Sequence, residues 1–361
     1  MKVLHVGEYV QGGVATYISM LLNHPRHTEL KDYIICSDKN SEHKWALPEG
    51  HVHYYTYHRS IFQILPAMMA VWKEIRRLKP DVIYCHSTWA GLFVRFPMLF
   101  LGKPCRVLYN AHGWAFLRNT AEWKRKIFAY IERILLLKTD AVVDVSKYEY
   151  EAAIRYGLPS RKQHIIYSGI SEEKAKEKAK VKCPVHFSKD TINLLFVGRF
   201  DPQKGVDYLL QAFAKCRRRD IHLYLIGDNV IGGAHIEKKD TGRLTFLGWV
   251  PHEEVGNYYV ACDAVIMPSR WEAFGLVAVE AMKYGKPVIA SNCGALPEIV
   301  KNGENGYVFQ FEKPETLVAL LEQIDSKTLV EMGKKAEEDF QSNYKMERMV
   351  EETICLMTKS N

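Results

Sequence analysis

The sequence predicts an α/β protein with two doubly wound domains. Three observations carry this prediction: short apolar runs alternate with helical patterns over the first half of the chain, a charged segment interrupts the alternation, and the alternation then starts again. Strands and helices that alternate in this way form a parallel sheet covered on both faces. The length of 361 residues also suits two cores of ordinary size.

The first half opens on a buried strand and continues with helices and strands in turn. Sites in such sheets gather at the carboxyl ends of the strands, so the residues directly after each strand are the first candidates for function. The predicted strands are Val3–Gly7, Tyr33–Ser37, Val82–His86, Arg106–Asn110 and Ala141–Ser146, and the predicted helices are Val14–Asn23, Leu65–Leu78 and Lys147–Tyr156.

The charged interruption contains a dense run of Lys, Glu and Ala, Glu172–Lys182, which predicts a part-helical linker on the surface. We therefore divide the chain into a first domain over 1–168, a linker over 169–189 and a second domain over 190–344. A helix over about 345–361 is expected to pack back on the first domain. The predicted strands of the second domain are Ile192–Val197, His222–Gly227, Leu244–Leu247, Ala264–Met267 and Val288–Ser291, and its helices are Val206–Lys215 and Leu276–Tyr284.

Composition excludes several classes of protein. No apolar run approaches the roughly 20 residues of a membrane-spanning helix, and the first apolar positions run straight into Glu8. We expect a cytoplasmic protein without a signal peptide. The net charge of +7 suits anionic partners such as nucleotides or lipid phosphates, whereas no basic–aromatic repeat indicates nucleic acid. Eight scattered cysteines without a Cys-x-x-Cys pair indicate buried free thiols, so no metal site is expected.

The most informative segment, Arg-Trp-Glu-Ala-Phe-Gly-Leu-Val-Ala-Val-Glu, carries Glu272 and Glu280 eight positions apart. On one unbroken helix their carboxylates would be roughly 12 Å apart, too far to share a reacting centre. The pair Phe274 and Gly275 instead predicts that Glu272 lies on a loop and that a helix begins near Leu276. Free N–H groups at that helix start suit an anion, and the second glutamate suits a vicinal diol such as a ribose. Two surface glutamates are the weaker interpretation, because this helix is apolar nearly all round.

A second segment, Phe-Val-Gly-Arg-Phe-Asp-Pro-Gln-Lys-Gly, follows a predicted strand and carries Arg199 and Lys204. Arginine supplies a planar fork of donors and lysine a compact charge, so the two can clamp a diphosphate. If the leaving group is a nucleoside diphosphate, they also neutralise its developing charge without Mg²⁺. By itself, a solvated turn is an equally good interpretation of this segment.

Taken together, these segments resemble glycosyltransferase family 4. Gly-Arg and Lys-Gly lie upstream of Glu-x7-Glu, with an early Gly-Gly and a central His-Gly, in the order and spacing of that family. The resemblance covers nearly the whole chain. It implies the GT-B fold, in which two Rossmann-like domains face across a cleft, and a transfer that retains the anomeric configuration of a nucleotide sugar.

The resemblance also implies that the second domain binds the donor. Arg199 and Lys204 would hold the diphosphate. Glu280 would bind the ribose hydroxyls, and the backbone at Leu247 would border the nucleobase. The residues expected at the sugar are Glu272, Phe274, Gly275 and Leu276.

In the first domain, Gly12 and Gly13 fall between a strand and a helix. Backbone without Cβ atoms can approach a ligand closely, and a helix start favours phosphate; we place Gly13 beside the donor phosphate and Gly12 on the acceptor side. A neutral imidazole such as His112 can donate to a sugar hydroxyl or accept a proton. The resemblance implies that His112 bonds the 6-hydroxyl of the donor sugar, and His86 is expected on the acceptor side.

The segment 123–138 has apolar positions at helical spacing, interleaved with five cationic side chains. A basic amphipathic helix can lie on an anionic membrane surface. A helix that covers the sheet and exposes a basic face is the favoured interpretation. Peripheral membrane contact remains as the alternative, and it would suit a lipid-linked acceptor.

These features predict a glycosyltransferase of bacterial surface polysaccharide synthesis, with His112, Arg199, Lys204 and Glu272 as its catalytic residues. We expect it to transfer a hexose or N-acetylhexosamine from a UDP-linked donor to a glycan or lipid-linked oligosaccharide, without a metal or other cofactor. Two alternatives stay open. A nucleotide-sugar epimerase or a phosphorylase can share the architecture, and a non-catalytic nucleotide-sugar sensor would keep the same binding residues.

Overall fold

The computed structural model describes residues 1–24, 30–172, 183, 185–230 and 236–359. The chain forms two compact units, one of Met1–Ser168 with Met346–Asn361 and the other of Gly169–Lys345. Except for Glu172, the charged run predicted as a part-helical linker lies outside the described residues.

The first unit contains a seven-stranded sheet in the order β3-β2-β1-β4-β5-β6-β7. All neighbouring strands are parallel. The strand order reverses between β1 and β4, so the carboxyl ends of these two central strands lie side by side, where sheets of this kind place their ligands. The strands are β1 (Lys2–Gly7), β2 (Lys31–Ser37), β3 (Val52–Tyr55), β4 (Val82–His86), β5 (Arg106–Asn110), β6 (Ala141–Asp144) and β7 (Gln163–Ile165), and the helices between them are α1 (Gly13–Asn23), α2 (Ile64–Leu78), α3 (Thr88–Leu101), α4 (Glu122–Leu135) and α5 (Lys147–Arg155).

The second unit contains a six-stranded sheet in the order β10-β9-β8-β11-β12-β13, again with parallel neighbours. Here the reversal falls between β8 and β11. The strands are β8 (Ile192–Val197), β9 (Ile221–Ile226), β10 (Leu244–Gly248), β11 (Ala264–Met267), β12 (Val288–Ser291) and β13 (Gly306–Phe309), and the helices are α6 (Val206–Lys215), α7 (His252–Ala261), α8 (Leu276–Lys283), α9 (Leu296–Ile299), α10 (Pro314–Gln323) and α11 (Ser326–Asn343).

The last helix, α12 (Met346–Thr358), belongs to the first unit and packs against α1. It buries apolar side chains such as Met349, Val350 and Leu356. Cys355 is exposed, contrary to the expectation of buried thiols, because it lies on the outer face of this helix; four other cysteines are buried.

The predicted class, two doubly wound parallel sheets, is confirmed. The strands that the sequence did not reveal, β3, β7 and β13, are edge strands of three or four residues that are only partly buried, so they lack the continuous apolar run of the equally short β11 and β12. The strand predicted through Ser146 ends at Asp144 instead. Ser146 caps α5, because its hydroxyl accepts a hydrogen bond from the N–H of Glu149 at 3.1 Å.

A buried ion pair ties α3 to α4 beneath the first sheet. The guanidinium of Arg95 donates to the Glu132 carboxylate at 2.9 Å, and the hydroxyl of Tyr109 donates to the other carboxylate oxygen at 2.8 Å. The guanidinium carbon of Arg95 also lies 3.7 Å from the centre of the Tyr109 ring. Arg95 is fully buried and Glu132 is 2% exposed, so each charge depends on the other.

A second buried acid lies at the end of β6. The pKa of Asp144 is raised from 3.8 to about 8, first because the carboxyl is buried and second because Glu149 lies near it, while the hydrogen bond from the Trp114 indole opposes the rise. That bond spans 3.1 Å to one carboxylate oxygen, while the other oxygen is buried and has no hydrogen-bond partner among the residues that the structure describes. Asp144 is therefore protonated in the folded protein at neutral pH.

This carboxyl makes stability depend on pH. An unfolded aspartate loses its proton near pH 4, whereas folded Asp144 keeps it to about pH 8. The folded state therefore binds the extra proton between these values, and the free energy of unfolding falls as pH rises through this window. Asp144→Asn is expected to remove this fall in the free energy of unfolding, which amounts to about 2–5 kcal/mol between pH 5 and pH 9.

Urea unfolding at the two pH values measures the effect. The Asp144→Asn variant should match the wild type near pH 5 and be more stable near pH 9. Exposed Glu49, changed to glutamine, is the control that should leave the pH profile of the wild type unaltered. Parallel profiles for Asp144→Asn and the wild type would contradict the assignment.

Candidate functional site

The candidate donor site is built on two loops of the second unit that follow the central strands β8 and β11. The loops are held together by main-chain and side-chain bonds. The N–H of Arg270 donates to the carbonyl of Gln203 at 2.8 Å, and the guanidinium of Arg270 reaches both oxygens of Asp207, at 2.8 and 2.6 Å. Because of this pair, the pKa of Asp207 is lowered. The two predicted segments therefore form one structural unit.

Lys204 and Glu272 meet between these loops. The ammonium of Lys204 lies 2.6 Å from one carboxylate oxygen of Glu272, and the hydroxyl of Ser269 donates to the same oxygen at 2.9 Å. The side chains of Lys204 and Glu272 are 19% and 8% exposed. An ion pair this sheltered is held in one geometry, and part of the lysine side chain stays exposed.

Arg199 takes a different position. Its guanidinium pairs with Asp201 at 3.0 Å, and its side chain is 53% exposed. Among the described contacts it does not reach Lys204. The structure therefore pairs Lys204 with Glu272 and Arg199 with Asp201, and the side chain of Arg199 is the more exposed of the two cations.

The helix predicted near Leu276 begins at that residue, and Glu272 lies on the loop before it, as expected. Gly275 is the cap, with φ of 114°, a conformation that side chains rarely adopt. The first N–H groups of a helix have no acceptor one turn earlier; here the N–H of Ala278 already donates to the carbonyl of Gly275 at 2.9 Å. Phe274 is buried and packs edge-on against Tyr344, which anchors the cap.

Glu280 lies one turn into α8. Burial raises the pKa of its carboxyl, and the hydroxyl of Tyr259 donates to one of its oxygens at 2.8 Å. Burial also raises the pKa of Tyr259 well above 10, so this hydroxyl remains a donor. A partly buried carboxylate with one oxygen bonded in this way retains acceptor capacity for a diol. Leu247 lies near the end of β10, before Gly248, whose carbonyl accepts from Gly227 at 2.8 Å.

Gly294 lies in close contact with the main chain of Glu272. A Cβ atom at position 294 would lie 2.2 Å from the carbonyl oxygen of Glu272, and the residue has φ of +61°. The N–H of Ala295 donates to that same carbonyl at 3.1 Å. The main chain of the glutamate loop is thus positioned by a close approach that only glycine allows.

Gly294→Ala is therefore expected to displace Glu272 and to lower turnover at least roughly tenfold, together with a loss of thermal stability. The matched control is Gly303→Ala, because Gly303 also has positive φ but an added Cβ would meet nothing within 4 Å. In both variants, alanine at positive φ costs about 1–2 kcal/mol, but only Gly294→Ala displaces the loop that carries Glu272. Equal turnover in both variants, measured once an activity is in hand, would contradict this role.

In the first unit, His86 ends β4 and His112 follows β5. Their rings approach to 3.2 Å between Nδ1 of His86 and Nε2 of His112, so the two predicted histidines lie together. His112 has φ of 49°, and its N–H donates to the side-chain oxygen of Asn110 at 2.8 Å. Gly12 caps α1 with φ of 58°, and Gly13 is the first residue of that helix.

Several polar side chains at these sites escaped sequence analysis. Ser269 and Tyr259 each complete a pair with a predicted glutamate, whereas Asp207 pairs with Arg270, which was not a predicted site residue. No local pattern marks these side chains. His5 is different, because it lies in the first predicted strand and contacts His86 at 3.0 Å. A histidine in a buried strand was the available signal.

Two absences concern the described part of the chain alone. Within it, no group of three or more His, Cys, Asp or Glu side chains is arranged to hold a metal ion. A search of the same residues finds no helix with the length and apolar character needed to cross a membrane.

Comparison with known proteins identifies the family. Residues 11–174 match the family described as Glycosyltransferase Family 4, and residues 178–339 match Glycosyl transferases group 1. An uncharacterized 41.2 kDa protein in the cps region of Klebsiella pneumoniae is 35% identical over 95% of both chains. The chain belongs to glycosyltransferase family 4.

Other family 4 relatives and solved structures agree. A UDP-Gal:alpha-D-GlcNAc-diphosphoundecaprenol alpha-1,3-galactosyltransferase of Escherichia coli is 24% identical over 81% of this glycosyltransferase and 79% of its own length. The crystal structure of Anabaena Alr3699/HepE in complex with UDP superposes with a TM-score of 0.79 and 20% identity, covering 99% of this chain and 100% of that one. This likeness shows the fold, which is GT-B as predicted.

Proposed function

We propose that this glycosyltransferase is a retaining, metal-independent enzyme that transfers a hexose or N-acetylhexosamine from a UDP-linked donor. The observation that carries the proposal is the arrangement around α8. Lys204 is paired to Glu272 directly before the helix start, and Glu280 lies one turn along the helix. Cation, helix start and carboxylate match the diphosphate, sugar and ribose of one elongated ligand.

The choice of UDP rests on the relatives. The Escherichia coli relative is named for a UDP-galactose donor, and Anabaena HepE has been crystallised with UDP and with UDP-glucose. Backbone at Leu247 would border the base, and Glu280 would accept from the ribose hydroxyls. GDP-linked donors are the second choice.

In the proposed transfer, the bond between the anomeric carbon and the diphosphate oxygen breaks while a bond to the acceptor oxygen forms on the same face of the sugar. Lys204 and Arg199 stabilise the negative charge on the departing diphosphate. A diphosphate oxygen takes the proton of the acceptor hydroxyl. Glu272 positions Lys204 and the sugar and forms no covalent bond. For His112 we propose a hydrogen bond to a sugar hydroxyl.

For the acceptor we propose a glycan or lipid-linked oligosaccharide of bacterial surface polysaccharide synthesis. Support comes from the cps region of the Klebsiella relative, the diphosphoundecaprenol acceptor in the name of the Escherichia coli enzyme, and a Salmonella typhimurium relative named lipopolysaccharide 1,2-N-acetylglucosaminetransferase. An epimerase or a non-catalytic sensor would need no acceptor, so turnover that depends on an acceptor distinguishes a transferase from these alternatives.

Calorimetry with UDP, GDP and ADP in EDTA is the first test, followed by transfer from UDP-sugars to a sugar-diphosphoundecaprenol acceptor. We expect metal-independent binding of UDP, weakened roughly tenfold in Glu280→Gln by loss of a hydrogen bond. Exposed Glu253 on α7, changed to glutamine, is the control. Binding of no nucleotide would overturn the donor site. Binding and donor turnover without any acceptor would favour the alternatives.

We further propose that the first unit contacts an anionic membrane. The sequence favoured a solvated basic face on the predicted helix 123–138, but α4 exposes large apolar side chains as well, including Trp123 at 61% and Tyr130 at 65%. The neighbouring pair α2 and α3 adds an apolar groove of about 690 Å³ lined by Phe100, Lys73 and Arg76, among others. Exposed apolar surface bordered by cations suits acidic headgroups.

Sedimentation with vesicles of phosphatidylglycerol and with vesicles of phosphatidylcholine tests this contact. We expect binding to the anionic vesicles alone, reduced in Trp123→Ser and Tyr130→Ser. Val330→Ser, which removes an exposed apolar side chain of the second unit, should bind like the wild type. Equal sedimentation with both lipids, or with neither, would contradict the proposal.

A further inference from the structure

Four side chains of the first unit form a continuous hydrogen-bonded row, which runs from Asp32 near the start of β2 through His5 within β1 and His86 at the end of β4 to His112 after β5. A carboxylate oxygen of Asp32 lies 3.3 Å from Nε2 of His5, and Nδ1 of His5 lies 3.0 Å from Nε2 of His86. Nδ1 of His86 then lies 3.2 Å from Nε2 of His112. His5 and His86 are fully buried, and Asp32 is 6% exposed. We call this row the histidine chain.

The histidine chain has a direction. A neutral imidazole carries one N–H and one lone pair, so a ring that donates through one nitrogen must accept through the other. An ionised carboxylate can only accept. If Asp32 accepts from Nε2 of His5, then Nδ1 of His5 must accept from Nε2 of His86. By the same step, Nδ1 of His86 must accept from Nε2 of His112.

We propose that Asp32, His5 and His86 are positioning residues that fix His112 as the Nε2–H tautomer, and thereby present its Nδ1 lone pair to a hydroxyl of the ligand. Within the described residues, Nδ1 of His112 has no hydrogen-bond partner, and the residue as a whole is half-buried. Only the identity of this ligand as a sugar rests on the proposed function.

The charge states of His86 and His112 support this direction of hydrogen bonding. Burial lowers the pKa of His86 well below 6.5, and the facing rings of His5 and His112 lower it further. Burial likewise lowers the pKa of His112 to about 3. Both rings are therefore neutral at pH 7, which leaves each with a single N–H to place.

A protonated His5 paired with Asp32 would reverse the chain, because it would donate to His86 instead. The direction given above therefore requires a neutral His5. Polar groups beside the row include Tyr17 and Tyr84, whose hydroxyls bond each other at 2.9 Å, and Asn110 and Thr353, which interact with the hydroxyl of Tyr17.

The main chain holds His112 in place for this role. With φ of 49° it lies in the left-handed region, and the bond from its N–H to Asn110 keeps the turn closed. A residue held in such a conformation has a defined ring position. Tautomer and position together make His112 an acceptor, so a ligand that lacks the matching hydroxyl would leave the Nδ1 lone pair without a donor.

Nitrogen-15 NMR of histidine-labelled full-length protein tests the proposal without any substrate. Long-range proton–nitrogen spectra report the tautomer of each ring, and single His→Asn variants assign the signals. At pH 7.5 we expect the Nε2–H form for His5, His86 and His112. A doubly protonated His5, or the Nδ1–H form at His112, would overturn the proposal.

Variants add a second readout. Asparagine can donate as well as accept, so Asp32→Asn should mix the tautomers of His112 and lower kcat/KM roughly tenfold. Asp32→Glu, which keeps an acceptor-only carboxylate, should retain the Nε2–H form. Tyr17→Phe is the control, because the Tyr17 ring lies 4.9 Å from that of His112 but outside the chain. A tautomer change in Tyr17→Phe as large as in Asp32→Asn would count against the chain.

The two proposals fail separately. If the spectra show the expected tautomers and no nucleotide sugar is turned over, the histidine chain stands and the proposed transfer is wrong. If transfer is found and His112 carries its proton on Nδ1, the transfer stands and the chain is wrong.

Discussion

Lys204→Ala is expected to lower the kcat of sugar transfer by roughly 10²–10³-fold, the loss that follows removal of a preorganised group facing developing charge. The ammonium of Lys204 is sheltered and fixed by Glu272 at 2.6 Å, so no solvent reorganisation is needed when the diphosphate departs. Steady-state transfer from a UDP-sugar measures the effect. Lys215→Ala, which removes an exposed lysine at the end of α6, should be active.

Substitution of Glu272, the ion-pair partner of Lys204, complements this test. Glu272→Gln keeps an acceptor for the hydroxyl of Ser269 but loses the ion pair with Lys204. We expect a smaller fall in turnover than for Lys204→Ala, because glutamine can still position the sugar. A Glu272→Gln enzyme with nearly full turnover would exclude any charged or nucleophilic role. Full turnover in Lys204→Ala would remove the lysine from the mechanism.

Glu132→Ala is expected to destabilise the first unit by about 3–5 kcal/mol, because it leaves the charge of Arg95 buried without its partner. Arg95 is fully buried, and the carboxylate of Glu132 also accepts from Tyr109. Urea unfolding followed by tryptophan fluorescence measures the loss. The experiment reports on packing between α3 and α4 and needs no substrate.

Two comparisons show whether the unpaired charge is the cause. Glu122→Ala on the same helix removes the exposed pair with Lys126 and should leave the unfolding midpoint unchanged. The double variant Arg95→Met with Glu132→Leu removes both charges and should be more stable than Glu132→Ala alone. A double variant as unstable as the single one would show that shape, not charge, sets the cost.

The donor segments could be predicted from the sequence because their signals are local. Phe274 and Gly275 break a helical pattern, and this break placed the start of α8 at Leu276, where the structure has it. Likewise the strand before Arg199 was recognised from its apolar run. In each case the deciding interactions act between residues a few positions apart.

Pairings between distant residues could not be predicted in this way. Lys204 bonds Glu272, 68 positions away, and the sequence marked both residues as candidates without linking them to each other. Asp32 and His86 are likewise connected through His5, on the strand between their own. Which loops meet depends on strand order, which local patterns do not encode.

The sequence by itself determined the two parallel sheets, the order of their central strands and helices along the chain, and the residue types available after each strand. Apolar periodicity and glycine positions suffice for that, because they set local conformation. Only the tertiary structure decided that Arg270 joins the two donor loops through Asp207, that Gly294 supports Glu272, and that three histidines share one row. These contacts form because strands from separate parts of the chain become neighbours in a sheet. Because the side chains after those strands are buried together, they form hydrogen bonds with one another.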